Sequence, residues 1–154
     1  MTRVEKVVQK LHTEFASKNI LEVACGCGEF SIAASEFAAS VHAIDLDDSR
    51  LLPKAKMVND LHFQIMDAAD MTYEDKSFDT VVMYNAVGHL ATIVKDVFDE
   101  CLRVLKDEGS ILIVSSFRMD KFFIDTTLIP YLKGKHIDFE KNEDEIFMYV
   151  KVMP

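Results

Sequence analysis

Carboxylates and glycines hold most of the chemical promise of this chain, and they gather at the ends of short apolar runs. The first run leaves through Glu22-Val23-Ala24-Cys25-Gly26-Cys27-Gly28-Glu29-Phe30, with small residues at the alternate positions Ala24, Gly26 and Gly28. Such a turn has no bulky side chain, so its backbone can approach a ligand closely, and its N–H groups open a helix whose start favours an anion. The same residues also fit a plain strand–helix corner in which small side chains serve close packing. Asp45 closes the second run. A carboxylate there can accept both hydroxyls of a ribose laid across the strand ends, or it can cap the following helix. Asp67 stands in the same position after the third run, within reach of an adenine amino group. Asp79 begins the fourth run, which puts it at the far end of a strand and gives it a structural reading.

Other candidates are weaker. The dinucleotide fingerprint G-x-G-x-x-G fails in both frames, since its third glycine would fall on Ser31 or Glu29. That disfavours a nicotinamide or flavin cofactor. His89 follows the fourth run, and its ordinary pKa of about 6.5 would suit a proton acceptor. For one histidine without a visible partner, packing at the start of the next helix is the simpler reading. Tyr84 is assigned no role. Cys25 and Cys27 read as small packing residues. With Cys101 they make three, an odd number without metal-ligand spacing, so neither a disulfide framework nor a metal site is expected. A reducing, cytoplasmic setting fits them. The eight methionines are scattered and read as core filler.

These residues need elements to position them. The 154 residues are 49% hydrophobic and 28% charged, which suits one domain with a sizeable core. Seventeen basic against 26 acidic residues give a net charge of −9, which repels phosphate backbones and disfavours nucleic acid or a polybasic membrane anchor. No apolar run approaches the roughly 18 to 20 residues that span a bilayer, and Met1 to Phe15 lacks the features of a signal peptide. Thr2 and Glu5 form a capping box ahead of an apolar face made by Val4, Val7, Val8, Leu11 and Phe15. Strands are expected at Ile20 to Ala24, Val41 to Ile44, Phe63 to Met66, Asp79 to Tyr84 and Ile111 to Val114. Helices are expected at Glu29 to Ala39, weakly at Asp48 to Asn59 around Pro53, at Val94 to Leu105 with Gly109 as its stop, and at Met119 to Leu128 until Pro130. His136 to Phe139 and Ile146 to Val152 read as a hairpin joined through Glu140 to Asp144. Strands alternating with helices imply an α/β fold, a doubly wound and mostly parallel sheet closed by an antiparallel C-terminal edge hairpin.

In order and spacing, five segments resemble the successive motifs of class I S-adenosylmethionine-dependent methyltransferases. They are Ile20 to Ile32 (ILEVACGCGEFSI), Ala43 to Asp47 (AIDLD), Gln64 to Asp70 (QIMDAAD), Ser77 to Leu90 (SFDTVVMYNAVGHL) and Leu102 to Val114 (LRVLKDEGSILIV). The nearest subgroup is the broad one that includes ubiquinone and menaquinone biosynthesis methyltransferases. The match covers roughly residues 19 to 115, and it is the five segments in register that make it specific.

The resemblance implies a Rossmann-like, seven-stranded sheet with an antiparallel last strand, and S-adenosylmethionine as cofactor. By it, Glu22, Ala24, Gly26 and Gly28 match the motif that cradles the methionine part. Asp45 matches the acid that holds the ribose, and Leu46 lies against adenine. Met66, Asp67 and Ala68 match the adenine edge, and Asn85 and Ala86 the turn beside the methyl group. Ala24 stands where a glycine is commoner, and Lys106-Asp107-Glu108-Gly109 where relatives usually have Lys-Pro-Gly-Gly. The expected function is methyl transfer to a small-molecule acceptor, for which positioning matters more than any catalytic triad. The alternative is a non-catalytic cofactor-binding or interaction subunit whose partner supplies the substrate site, since the chain lacks the helical lid of many relatives. Arg118 to Lys135 is then the expected substrate cover. It holds Phe122, Phe123, Ile124, Leu128, Ile129, Tyr131 and Leu132, too many apolar residues for a free loop. With the N-terminal helix it is expected to form one wall of the site, completed by self-association as a homodimer.

Overall fold

The computed structural model describes every residue from Met1 to Pro154. Its elements are α1 (Arg3–Lys10), β1 (Asn19–Val23), α2 (Glu29–Ala34), β2 (Ser40–Asp45), β3 (Leu61–Ile65), β4 (Phe78–Tyr84), α3 (Val94–Val104), β5 (Leu105–Ser115), α4 (Arg118–Phe123), α5 (Ile129–Gly134), β6 (Asp138–Glu143) and β7 (Met148–Met153). The strands form one sheet in the order β3-β2-β1-β4-β5-β7-β6. The first five in that order run parallel. β7 pairs antiparallel with both β5 and β6, so the hairpin supplies the sheet's far edge. No helix is long and apolar enough to cross a membrane.

Period-two alternation along the central strands divides the core. Val81 and Met83 of β4 face α3, where Val97, Phe98, Cys101 and Val104 meet Ile111 and Ile113. Val82 faces the opposite side with Ile20, Leu112 and Val114, under Val7 and Val8 of α1 and Phe30 of α2. Both faces are therefore covered, as a parallel sheet requires. The capping box at Thr2 and Glu5 forms as its sequence predicts, with both reciprocal bonds present. Asp79 has its structural role: it accepts the Asn19 N–H at 2.9 Å, tying the start of β4 to the start of β1.

Several boundaries differ from the sequence expectation. Between Asp48 and Asn59 only a single 3-10 turn forms, Pro53–Lys56, with Pro53 at its start where the missing N–H costs nothing. α2 ends at Ala34, five residues before its expected end at Ala39. Gly109 does not stop α3. The helix ends at Val104, because Leu105 is already extended and pairs with Phe78. Gly109 instead lies in an irregularity of β5, where a Cβ would come within 2.8 Å of the Asp79 carbonyl oxygen. Nor does Pro130 end its helix: a wider turn at Ile124–Leu128, with the Ile129 N–H bonded to the Ile124 carbonyl, leads into α5 with Pro130 in its first turn. The hairpin turns later than expected, at Asp144, whose Oδ1 accepts the N–H groups of Ile146 and Phe147 at 2.7 and 3.1 Å.

Leu112 is fully buried on a central strand, and Met119 is 75% exposed on α4. Leu112→Ala should cost about 2–5 kcal/mol in urea denaturation, whereas Met119→Ala should stay within about 0.5 kcal/mol of wild type.

Candidate functional site

Parallel strands bring their carboxyl ends to one edge, and here the order reverses between β1 and β4. At that edge lies a cavity of about 640 Å³, within the range of small-molecule sites. Its lining comes from the residues that follow five strands: Ala24 to Cys27 after β1, Asp45 to Asp47 with Ser49 and Arg50 at and after β2, Met66 to Ala68 after β3, Tyr84 to Ala86 with His89, Leu90 and Ile93 at and after β4, and Phe117 after β5.

The turn after β1 is built on left-handed backbone. Ala24, Gly26 and Gly28 have φ of 56°, 57° and 84°. At Ala24 that conformation costs about 1–2 kcal/mol, which explains why glycine is the commoner residue there. Asp45 holds the turn from the next strand. Its Oδ2 accepts the Gly26 N–H at 2.7 Å and its Oδ1 the Leu46 N–H at 2.7 Å. Each oxygen keeps room for a further donor. Asp67 accepts the Ala69 N–H at 2.9 Å through Oδ1, which sets the turn after β3 and leaves Oδ2 free for another donor. Leu46 stands 70% exposed at the rim.

Across the switch point, Asn85 adopts φ 49°, a conformation asparagine tolerates better than most residues. Its Oδ1 accepts the Ser116 N–H at 2.8 Å, joining the ends of β4 and β5. The next turn is fixed by Asp120, a buried carboxylate of α4. Asp120 Oδ1 accepts the Gly88 N–H at 3.1 Å, and its Oδ2 accepts the Ser115 hydroxyl at 3.2 Å. A Cβ at Gly88 would collide with that Oδ1. His89, the next residue, is exposed on a 3-10 turn at Val87–Leu90 and lines the cavity.

Two residues of the first motif do not line the cavity. Gly28 is buried at the start of α2, against Leu51 and Ala55. Glu22 lies beneath the turn, 1% exposed, and accepts the Ser31 hydroxyl at 2.7 Å. Burial raises its pKa to about 8, against the lowering effect of that hydrogen bond. Cys25 is also buried, and burial, with the nearby Glu22 and Asp45 charges, pushes its thiol pKa far up, so it is no thiolate nucleophile. Sequence reasoning passed over Arg50, Tyr84, Ile93 and Phe117, all of which reach the cavity. Tyr84 shares a face of β4 with Val82, and its ring packs on that of Phe30 at 5.1 Å.

The N-terminal helix forms no wall of this cavity. It packs on α2, on the other face of the sheet. From Phe117 onward only Phe117 itself lines the site. Ile124, Leu128 and Leu132 fill the core beside α3, while Met119 and Phe122 are exposed. The apolar content of Arg118 to Lys135 is therefore spent largely on core packing.

A family model described as a methyltransferase domain matches residues 21–113. YqeM of Bacillus subtilis is 35% identical over 116 residues, 70% of this chain and 47% of its own length. A demethylmenaquinone methyltransferase of Clavibacter sepedonicus is 34% identical over 101 residues, covering 64% of this chain and 41% of that one. The chain thus spans about half the length of the curated relatives it matches. A crystal structure of a SAM-dependent methyltransferase from Aquifex aeolicus superposes with a TM-score of 0.78 at 16% identity, over 97% of this chain and 88% of that one, a likeness of fold.

The Glu22 carboxyl has a measurable signature. Its folded pKa lies above its ordinary 4.5, so between the two values the folded chain binds more protons than the unfolded one. Stability contributed this way is full below the ordinary value and is lost as pH rises toward 8, at up to ~1.4 kcal/mol per pH unit. Urea midpoints from about pH 5 to about pH 8 should fall in the wild type relative to Glu22→Gln. Parallel profiles would show that Glu22 is charged in the folded protein.

Proposed function

This chain belongs to the class I S-adenosylmethionine-dependent methyltransferase family, and from that membership we propose that it transfers the methyl group of S-adenosylmethionine to a small-molecule acceptor. The observation that supports this most directly is the Asp45 carboxylate, held at the switch point with an unused acceptor site on each oxygen. The lining fits the cofactor in other respects. Gly26 carries no side chain, and the space its Cβ would need is taken by the Arg50 guanidinium, which lies over the turn where the amino-acid end would sit. Asp67 and the apolar Leu46, Met66, Ala68 and Leu90 suit an adenine, which is flat, apolar on its faces and a donor at one edge.

When bound, the cofactor supplies a methyl group on a sulfonium, an electrophile that leaves little work for a general base. The chain's contribution is then to bind, orient and screen. Asp45 accepts the two ribose hydroxyls, one on each oxygen. The Ala24–Cys27 turn and the Asn85–Ala86 turn hold the sulfur's surroundings from either side of the switch point. Ile93 and Phe117, both partly exposed at the mouth of the cavity, give the acceptor an apolar surface to approach along. His89, exposed on the same side, is a candidate to take the acceptor's proton on a ring nitrogen. A reducing compartment suits the three free cysteines.

Isothermal titration with S-adenosylhomocysteine tests the reading. Wild type should bind it, and Asp45→Asn should weaken binding by about 10- to 100-fold, since the amide loses one acceptor and all of the charge. No heat at about millimolar ligand would overturn the cofactor assignment. Unchanged affinity in Asp45→Asn would remove Asp45 from the ribose.

A further inference from the structure

One guanidinium lines the cavity. Arg50 stands among Asp45, Asp47 and Asp67, with no other arginine or lysine in the lining. Its guanidinium folds back over the turn after β1, where a Cβ built on Gly26 would lie 2.6 Å from Arg50 Nη2. The missing side chain of Gly26 is the space the guanidinium uses.

Despite three carboxylates nearby, Arg50 has no partner. None of the ion pairs in the chain includes it, and no hydrogen bond engages its side chain. Asp47 feels its charge, yet no hydrogen bond or ion pair joins the two, and Asp47 Oδ1 is turned to the Ser49 N–H at 2.9 Å and the Ser49 hydroxyl at 2.6 Å. Asp45 is turned toward the Gly26 and Leu46 amides. A planar fork of donors is thus presented to the cavity with its hydrogen-bonding capacity unspent, the arrangement that binds a carboxylate through two parallel bonds.

We propose that Arg50 is the clamp for the α-carboxylate at the amino-acid end of the cofactor. This rests on the reading of the site given above, and deepens it. That ligand has one anionic group, and the lining has one guanidinium. With the ribose on Asp45 and the base toward Asp67, the amino-acid end would run toward the turn after β1, over which Arg50 lies. The clamp closes from the loop after β2, so one segment holds the ribose through its first residue and the carboxylate through its sixth.

The experiment compares S-adenosylhomocysteine with decarboxylated S-adenosylhomocysteine by titration calorimetry at fixed ionic strength. Wild type should prefer the carboxylated ligand by about 10- to 100-fold. Arg50→Met should lose that factor for the carboxylated ligand and bind both alike, and Arg50→Lys should keep part of it. Arg50 is exposed and makes no bond within the fold, so both variants should melt as wild type does. Equal affinity of wild type and Arg50→Met for S-adenosylhomocysteine overturns the clamp, as does an equal loss for both ligands. Those failures leave the cofactor assignment standing, whereas a wild type that binds neither ligand overturns the assignment itself and the clamp with it.

Discussion

Parallel neighbours cannot be joined by a tight turn, and the rest of this molecule follows from that constraint. Each return from the carboxyl edge must cross the sheet, so every functional loop leaves from the same edge and every helix lands on a face. With β1 and β4 adjacent, the loops on either side diverge, one set toward β2 and β3 and the other toward β5. The cavity is the gap between them. Its walls are fastened from strand to strand: Asp45 holds the turn after β1, Asn85 the residue after β5, and Asp120 the turn after β4. Each of these turns is thus anchored to a neighbour's end.

The electrostatics fit this geometry. A net charge of −9 and three acids in the lining give the cavity a negative field, which draws a ligand that is cationic overall and turns away phosphates. Beneath the turn the same preference meets its limit. Glu22 is too deeply buried to stay ionised at neutral pH without a cation, so protonation removes a charge the fold could not hold.

What could be read from the sequence was whatever depends on local pattern. Short apolar runs gave the strands, acids at their ends marked the carboxyl edge, and Val97, Phe98, Cys101 and Val104 gave α3 its buried face. Positions decided by distant contacts were hidden. Gly109 looks like a helix stop, yet it is small because Leu105 and the Asp79 carbonyl crowd it. Pro130 looks like a terminator, yet a widened turn admits it. Asp144 sets the hairpin by side-chain bonds that a charged run conceals. In the site, Glu22 and Gly28 carry the motif's pattern but face inward, as supports of the turn. Arg50 and Phe117 carry no pattern and enter the cavity only through the path of their loops.

The contact between Gly88 and Asp120 reaches further than its single hydrogen bond. With a carboxylate oxygen occupying the volume where a side chain would begin, the two positions are no longer independent in sequence space. A larger residue at one site demands a smaller or displaced one at the other, and effects of substitution at the two should not add. The same contact ties the helix after β5 to the turn bearing His89. On the opposite side of the cavity the loop after β2 is fastened differently, by backbone alone, with the Leu52 N–H donating to the Cys27 carbonyl at 3.0 Å, and there no side chain at one position sets the size allowed at another.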